Sequence, residues 1–164
     1  MANYDGKLVN QQAFYYETDG EQSGYYDQEG RSLARQFLLY PLPFRGITSH
    51  FNLRRFHPIL KRKVPHLGTD YAASIGTPVY ASAIGIVTHA GKKGAYGLLV
   101  ELKHANGYKT RYAHLSKILV KKGQSISQQQ TIGKVGTTGR STGPHLHYEI
   151  IKNSTHINPT TINR

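Results

Sequence analysis

From residue 45 onward the apolar positions fall in short runs of period two, each cut off by glycine or proline. The runs cover residues 46–52, 69–72, 78–82, 85–90, 97–104, 108–114, 131–135 and 145–151. Period two is that of a strand with one face buried, and no stretch between the runs carries a helical period. The pattern predicts an all-β fold, an antiparallel sheet or sandwich. In the last run Leu146, Tyr148 and Ile150 share one face, and His145, His147 and Glu149 share the other. Residues 53–65 are polar, basic and broken by Pro58 and Pro65, which predicts a long surface loop. Nearer the start, Phe14-Tyr15-Tyr16 and Gly24-Tyr25-Tyr26 flank Asp19-Gly20, the signature of a short β-hairpin. Residues 32–39 read as a brief helix or an extended connection ended by Pro41-Leu42-Pro43. This divides the chain into an N-terminal β segment, 1–40, and a main domain, 41–164. The segment either packs on the main domain or is the remnant of a larger upstream domain.

Charge sharpens that division. Residues 1–32 hold six of the nine acidic residues and two of the twenty-one basic ones, which leaves 33–164 with nineteen bases against Asp70, Glu101 and Glu149, a net of +16. Such a surface suits a polyanion: nucleic acid, a phospholipid surface or an anionic wall polymer. No nucleic-acid motif accompanies it, which argues against the first. No apolar run approaches the roughly 20 residues of a membrane span, and Met-Ala-Asn-Tyr-Asp-Gly does not begin a signal peptide. The protein is therefore expected to be cytosolic or to have its targeting segment missing from this chain. Without cysteine, any metal must be held by His, Asp or Glu.

The acidic shortage narrows the chemistry. His66-Leu67-Gly68-Thr69-Asp70 puts an imidazole and a carboxylate four residues apart. In an extended chain they would lie about 13 Å apart, too far for one ion unless the chain bends at Gly68. Together with one histidine of His145-Leu146-His147 they give an N,N,O set suited to Zn²⁺ with a position open for water. By default His114, at the end of a strand, is a solvated or core-satisfied histidine, as are His50, His57, His89, His104 and His156. Glu149 reads first as a partner for one of the many cations and second as an orienting group behind a ligand. Glu101 reads as a strand residue on a polar face. Arg54 and Arg55 read as a solvated basic loop or as holders of substrate carboxylates.

His66-x-x-x-Asp70, Tyr112-Ala113-His114-Leu115 and Ser141-Thr142-Gly143-Pro144-His145-Leu146-His147 resemble the three signature motifs of the LytM/lysostaphin-type zinc metallopeptidases, in that family's order. The resemblance runs over residues 44–159. Within the family, Ser49-His-Phe-Asn-Leu-Arg54, Gly76-Thr-Pro-Val79 and Ile118-Leu-Val-Lys-Lys-Gly123 are similar to the MepM-like murein endopeptidases of Gram-negative bacteria. The resemblance implies a substrate groove across the antiparallel sheet, His66, Asp70 and His147 as zinc ligands, and His114 and His145 as the pair acting on water and the transition state. It implies a zinc endopeptidase that cuts peptide cross-links of peptidoglycan, the D-alanyl–meso-diaminopimelate bond in the MepM-like case, with zinc-bound water as nucleophile. It further implies peptidoglycan peptide stems as partner, an upstream regulatory domain or adaptor, a monomer, and a periplasmic or cell-envelope location.

No helical His-Glu-x-x-His motif supplies a glutamate base, so histidine is the expected base, with His145 in that role and His114 facing the oxyanion. The competing expectation is a non-catalytic member of the same fold that binds peptidoglycan or activates other wall hydrolases. All five His/Asp positions being present counts against it. A lipoyl-like domain is suggested by Val120-Lys-Lys-Gly-Gln-Ser-Ile126 but lacks the Asp-Lys-Ala hairpin.

Overall fold

Strands account for nearly all regular structure. The computed structural model describes residues 2–3, 14–16, 24–26, 37, 40–57 and 61–161, and within them every element is a strand or a one-turn 3-10 helix. Strands β1 (Ala2–Asn3), β2 (Phe14–Tyr16) and β3 (Gly24–Tyr26) form a three-stranded antiparallel sheet, with Phe14 opposite Tyr26 and Tyr15 opposite Tyr25. The hairpin expected from the two aromatic runs is formed and gains β1. The connection expected over residues 32–39 lies outside the described residues apart from Phe37, which is buried in the main core.

The main body contains β4 (Gly46–Ser49), β5 (Phe56–His57), β6 (Arg62–Lys63), β7 (Thr69–Ala72), β8 (Pro78–Tyr80), β9 (Gly85–Lys92), β10 (Leu98–Lys103), β11 (Tyr108–Ile118), β12 (Ser125–Ile126), β13 (Thr131–Val135), β14 (His145–Lys152) and β15 (Thr155–Ile157). All eight strands expected from period two are present. The expected loop over residues 53–65 contains the small β5–β6 hairpin, and β12 and β15 are too short for any periodicity to reveal them. The order β12-β9-β10-β11-β14-β7-β4 runs through one antiparallel sheet, with β13 joining β11 to β8 and β15 flanking β14.

Two features of register place the outward-facing histidines. First, β14 lies between β7 and β11, with His147 directly opposite Asp70 on one side and Ala113 on the other. Second, β11 changes partner along its length. Residues 108–113 pair with β14, whereas residues from Leu115 onward pair with β13. The turning point is His114, whose φ of 61° lies in the left-handed region that a side chain rarely adopts. Such strain persists only where the surrounding ladders over-determine it.

The inner face of β14 builds the core. Leu146, Tyr148 and Ile150 are fully buried with Tyr71 of β7, Tyr112 of β11, Val100 of β10 and Ile132 of β13. Several of the buried hydroxyls there satisfy one another. The Tyr148 hydroxyl meets Ser82 Oγ at 2.6 Å, and the Ser82 amide donates to the Tyr112 hydroxyl at 3.0 Å. His104 donates Nδ1–H to the Ile84 carbonyl at 2.6 Å and meets Thr110 Oγ1 at 2.8 Å, so this histidine is core-satisfied as expected. Glu101 departs from expectation. It is buried, with Oε2 accepting from Arg111 Nε at 2.6 Å and Oε1 from Thr88 Oγ1 at 2.8 Å. Its side of the sheet is polar, as expected, with Arg111 and His89 opposite it in register, but those neighbours and Thr88 cover it.

Candidate metal centre and active site

The outer face of β14 forms the floor of an open cleft of about 460 Å³, whose walls include Arg55, His66, Asp70, Tyr96, His114, Arg140, His145 and His147. Asp70 reaches the floor because β7 pairs with β14 in the register that sets it opposite His147. His66 arrives by the bend at Gly68, as the spacing required. That bend presses the chain against β14, where a Cβ on residue 68 would collide with the Tyr148 carbonyl oxygen and stand 3.0 Å from His147 Cε1. The result is His66 Nε2 at 3.2 Å and His147 Nδ1 at 2.8 Å from the same oxygen, Asp70 Oδ1. One donor atom from each of the three residues lies within 4.8 Å of the others.

The other nitrogen of each imidazole is spoken for. His66 Nδ1–H donates to the His50 carbonyl at 2.8 Å, which leaves the Nε2 lone pair facing the cleft. His147 Nε2 lies 2.7 Å from Glu149 Oε2, which leaves Nδ1 facing Asp70. Burial opposes a charge on His147, but its hydrogen bonds to the Asp70 and Glu149 carboxylates prevail and hold its pKa up to about 9. Asp70 is likewise opposed by burial, yet the bonds from His147 and His66 bring it well below the usual carboxylate range. Two nitrogens and a carboxylate converging on one point suit Zn²⁺, and a cation there satisfies the lone pairs and the carboxylate together.

Two further imidazoles flank the group. His114 Nδ1–H donates to the Thr138 carbonyl at 2.7 Å, and His145 Nδ1–H to the Gly143 carbonyl at 2.8 Å. Their rings lie 4.8 Å apart, and His145 Nε2 is 3.9 Å from Asp70 Oδ1. Burial, with His145 and His147 close by, pushes the His114 pKa down in spite of the Thr138 carbonyl. The loop that carries both anchoring carbonyls is itself pinned. Gly139 has φ +74°, and a Cβ there would collide with the Gly97 amide nitrogen, while Arg140 N donates to the Ala95 carbonyl at 2.8 Å.

All five residues expected at the site therefore converge in one cleft. Of the two loop arginines only Arg55 lines it. Three residues whose part in the site the sequence did not reveal gather on one carboxylate of the floor. Tyr96, Arg111 and His156 all reach Glu149, which is only 1% exposed. His156 was legible in principle, because Asn153 and Ser154 form a two-residue turn with positive φ (47° and 67°) that folds β15 back along β14. The His57 side chain lies outside the described residues.

An antiparallel sheet with a His/Asp/His group and two more imidazoles in its groove defines a metallopeptidase of the LytM type. Comparison with known proteins agrees: Peptidase family M23 matches residues 64–159, and the chain belongs to that family. It is similar to the peptidoglycan DD-endopeptidase ShyA of Vibrio cholerae, 50% identical over 150 residues that cover 91% of this chain and 34% of that protein. Among solved structures it is similar to a zinc-containing peptidase from Vibrio cholerae (TM-score 0.77, 44% identity, 91% of this chain and 45% of that one). It is also similar to the catalytic domain of lysostaphin from Staphylococcus simulans (TM-score 0.60, 33% identity, 70% and 88%). The chain spans about a third of the length of the curated relatives it matches.

Proposed function

We propose that residues 41–164 are the catalytic unit of a zinc endopeptidase that cleaves peptide cross-links in peptidoglycan, at the bond between D-alanine and meso-diaminopimelate. The reading is carried by the convergence of His66, Asp70, His147, His114 and His145 on one open cleft, and the relatives named for peptidoglycan endopeptidase activity support the substrate class. Arg55 and Arg140 line the same cleft. Cationic walls suit a peptide stem with free carboxylates, and diaminopimelate carries one more than an ordinary residue. Action on peptidoglycan places the protein in the cell envelope. Among the described residues no helix is long and apolar enough to cross a membrane.

His66 Nε2, Asp70 Oδ1 and His147 Nδ1 would hold a zinc ion, which would supply Lewis acidity and make water a nucleophile near neutral pH. His114 is kept neutral by burial, and with Nδ1–H given to Thr138 its lone pair sits on Nε2, where it takes a proton from water. His145 keeps Nδ1–H on Gly143, so it can donate from Nε2 to a developing oxyanion only as the imidazolium. This reading gives the base to His114, where the sequence leaned to His145.

Purified cross-linked sacculi incubated with the protein, with and without a zinc chelator, test the reading when the released fragments are resolved by mass. The expected outcome is chelator-sensitive loss of cross-linked dimers with new D-alanine termini. No loss with zinc supplied would favour a binding or activating role.

A further inference from the structure

In the floor of the cleft one carboxylate is buried almost completely, and four donors close on it. Glu149 Oε2 lies 2.7 Å from His147 Nε2 and accepts from the Tyr96 hydroxyl at 2.9 Å. Glu149 Oε1 accepts from His156 Nε2 at 2.9 Å, and Arg111 Nη1 lies 3.5 Å away. These donors come from four separate places: β14 itself, the 3-10 turn Gly94–Tyr96, β15 and β11. Arg111 is held in turn by Glu101 of β10 at 2.6 Å. A buried charge on this scale is retained only when its partners are fixed, and removing one partner leaves a costly orphan. Glu149 does partner a cation, Arg111, as its first reading had it, but that pair alone would not need the histidine.

The geometry points to Glu149 as a positioning residue for the metal ligand: it fixes the proton of His147 on Nε2 and so assigns Nδ1 as the nitrogen that holds zinc, with Tyr96, Arg111 and His156 locking the carboxylate in place. Asp70 stands 2.8 Å from Nδ1 and Glu149 2.7 Å from Nε2, so the ring is clamped between two carboxylates. Beside His147, Asp70 meets only the cleft imidazoles of His66 at 3.2 Å and His145 at 3.9 Å, whereas Glu149 is closed in by Tyr96, His156 and Arg111. Glu149 therefore keeps a proton between itself and Nε2, and the cleft side of the ring is left for the cation. This inference rests on the proposed zinc site and adds what holds His147 Nδ1 in place toward it.

The test reads metal binding rather than turnover. In the zinc-loaded chain, ¹⁵N NMR of the histidine rings is expected to show His147 metallated at Nδ1 and protonated at Nε2. Metallation at Nε2 would overturn the inference while leaving the zinc site intact, and no metallation of His147 at all would overturn the site itself. Glu149→Gln, which keeps the shape and removes the charge, is expected to weaken zinc binding by about 10- to 100-fold in competition with a chromophoric chelator and to alter the visible spectrum of the cobalt-substituted protein. Tyr96→Phe removes one hydroxyl from the carboxylate at a half-buried turn and serves if Glu149→Gln does not fold, with a several-fold loss expected. Folded variants of both kinds that bind zinc within twofold of the parent would refute the positioning role.

Discussion

His114 and His145 face each other at 4.8 Å between ring centroids, and each is anchored by the same device, an Nδ1–H bond to a main-chain carbonyl of the 138–143 loop. One loop thus sets both Nε2 atoms toward the cleft. Burial favours the neutral form of His114, which suits it to take a proton.

His114→Ala and His145→Ala are each expected to retain zinc and to lose turnover by about 10²- to 10⁴-fold. His66→Ala and Asp70→Ala are expected to lose metal and activity together. Zinc content after gel filtration, measured beside muropeptide release, separates the two classes. Release of zinc by His114→Ala would place that residue among the ligands.

Zinc loading is expected to displace a proton from His147. In the metal-free chain its pKa is held up to about 9, so near pH 7.5 it is charged, and binding at Nδ1 requires about one proton to leave per zinc. Calorimetry in two buffers of different ionisation enthalpy counts it. For metal-free stability the folded pKa lies above the unfolded value of about 6.5, so His147's contribution is fully present below about 6.5 and is lost as pH rises through about 9. Melting temperatures of the metal-free protein should fall across that interval, and those of the zinc-loaded protein should not.

His104 sets an acid limit of opposite sign. Burial pushes it down to about 4 in spite of the Ile84 carbonyl, so the unfolded chain takes up a proton below about 6.5 that the fold refuses. Stability should decline as pH falls from about 6.5 to 4, by about 3 kcal/mol at most, and this site adds nothing further below that. Urea unfolding at stepped pH measures the decline. A curve flat between pH 6.5 and 4 would contradict it.

Gly68→Ala places a methyl against the Tyr148 carbonyl and His147 Cε1. With backbone on one side and a proposed ligand on the other, the chain must shift, and the expected cost is about 1–3 kcal/mol together with weaker zinc binding. Thermal melting and chelator competition read both effects. A variant unchanged in both would show that the bend relaxes freely.

Period two assigned every strand long enough to show it and placed His145 and His147 on one face. What it left open is register, because neither the pairing of Asp70 with His147 nor the partner change of β11 at His114 is encoded within a single strand. The family resemblance supplied the convergence of the five site residues. Glu149 was harder, since its meaning depends on Tyr96, Arg111 and His156 arriving from three other elements. The polar side of Glu101 was legible, but its burial was not, since alternation along β10 does not reveal that Arg111 and Thr88 close over it.

β14 has Leu146 and Tyr148 on its inner face and His145 and His147 on its outer one. One ribbon of backbone is therefore the inside of the protein and the bed of the reaction at once, with no layer between to absorb error. A methylene lost beneath Leu146 would be felt above it as a displaced imidazole. In this fold the tolerance of the interior to substitution is set by how far a histidine nitrogen can drift, well before it is set by unfolding.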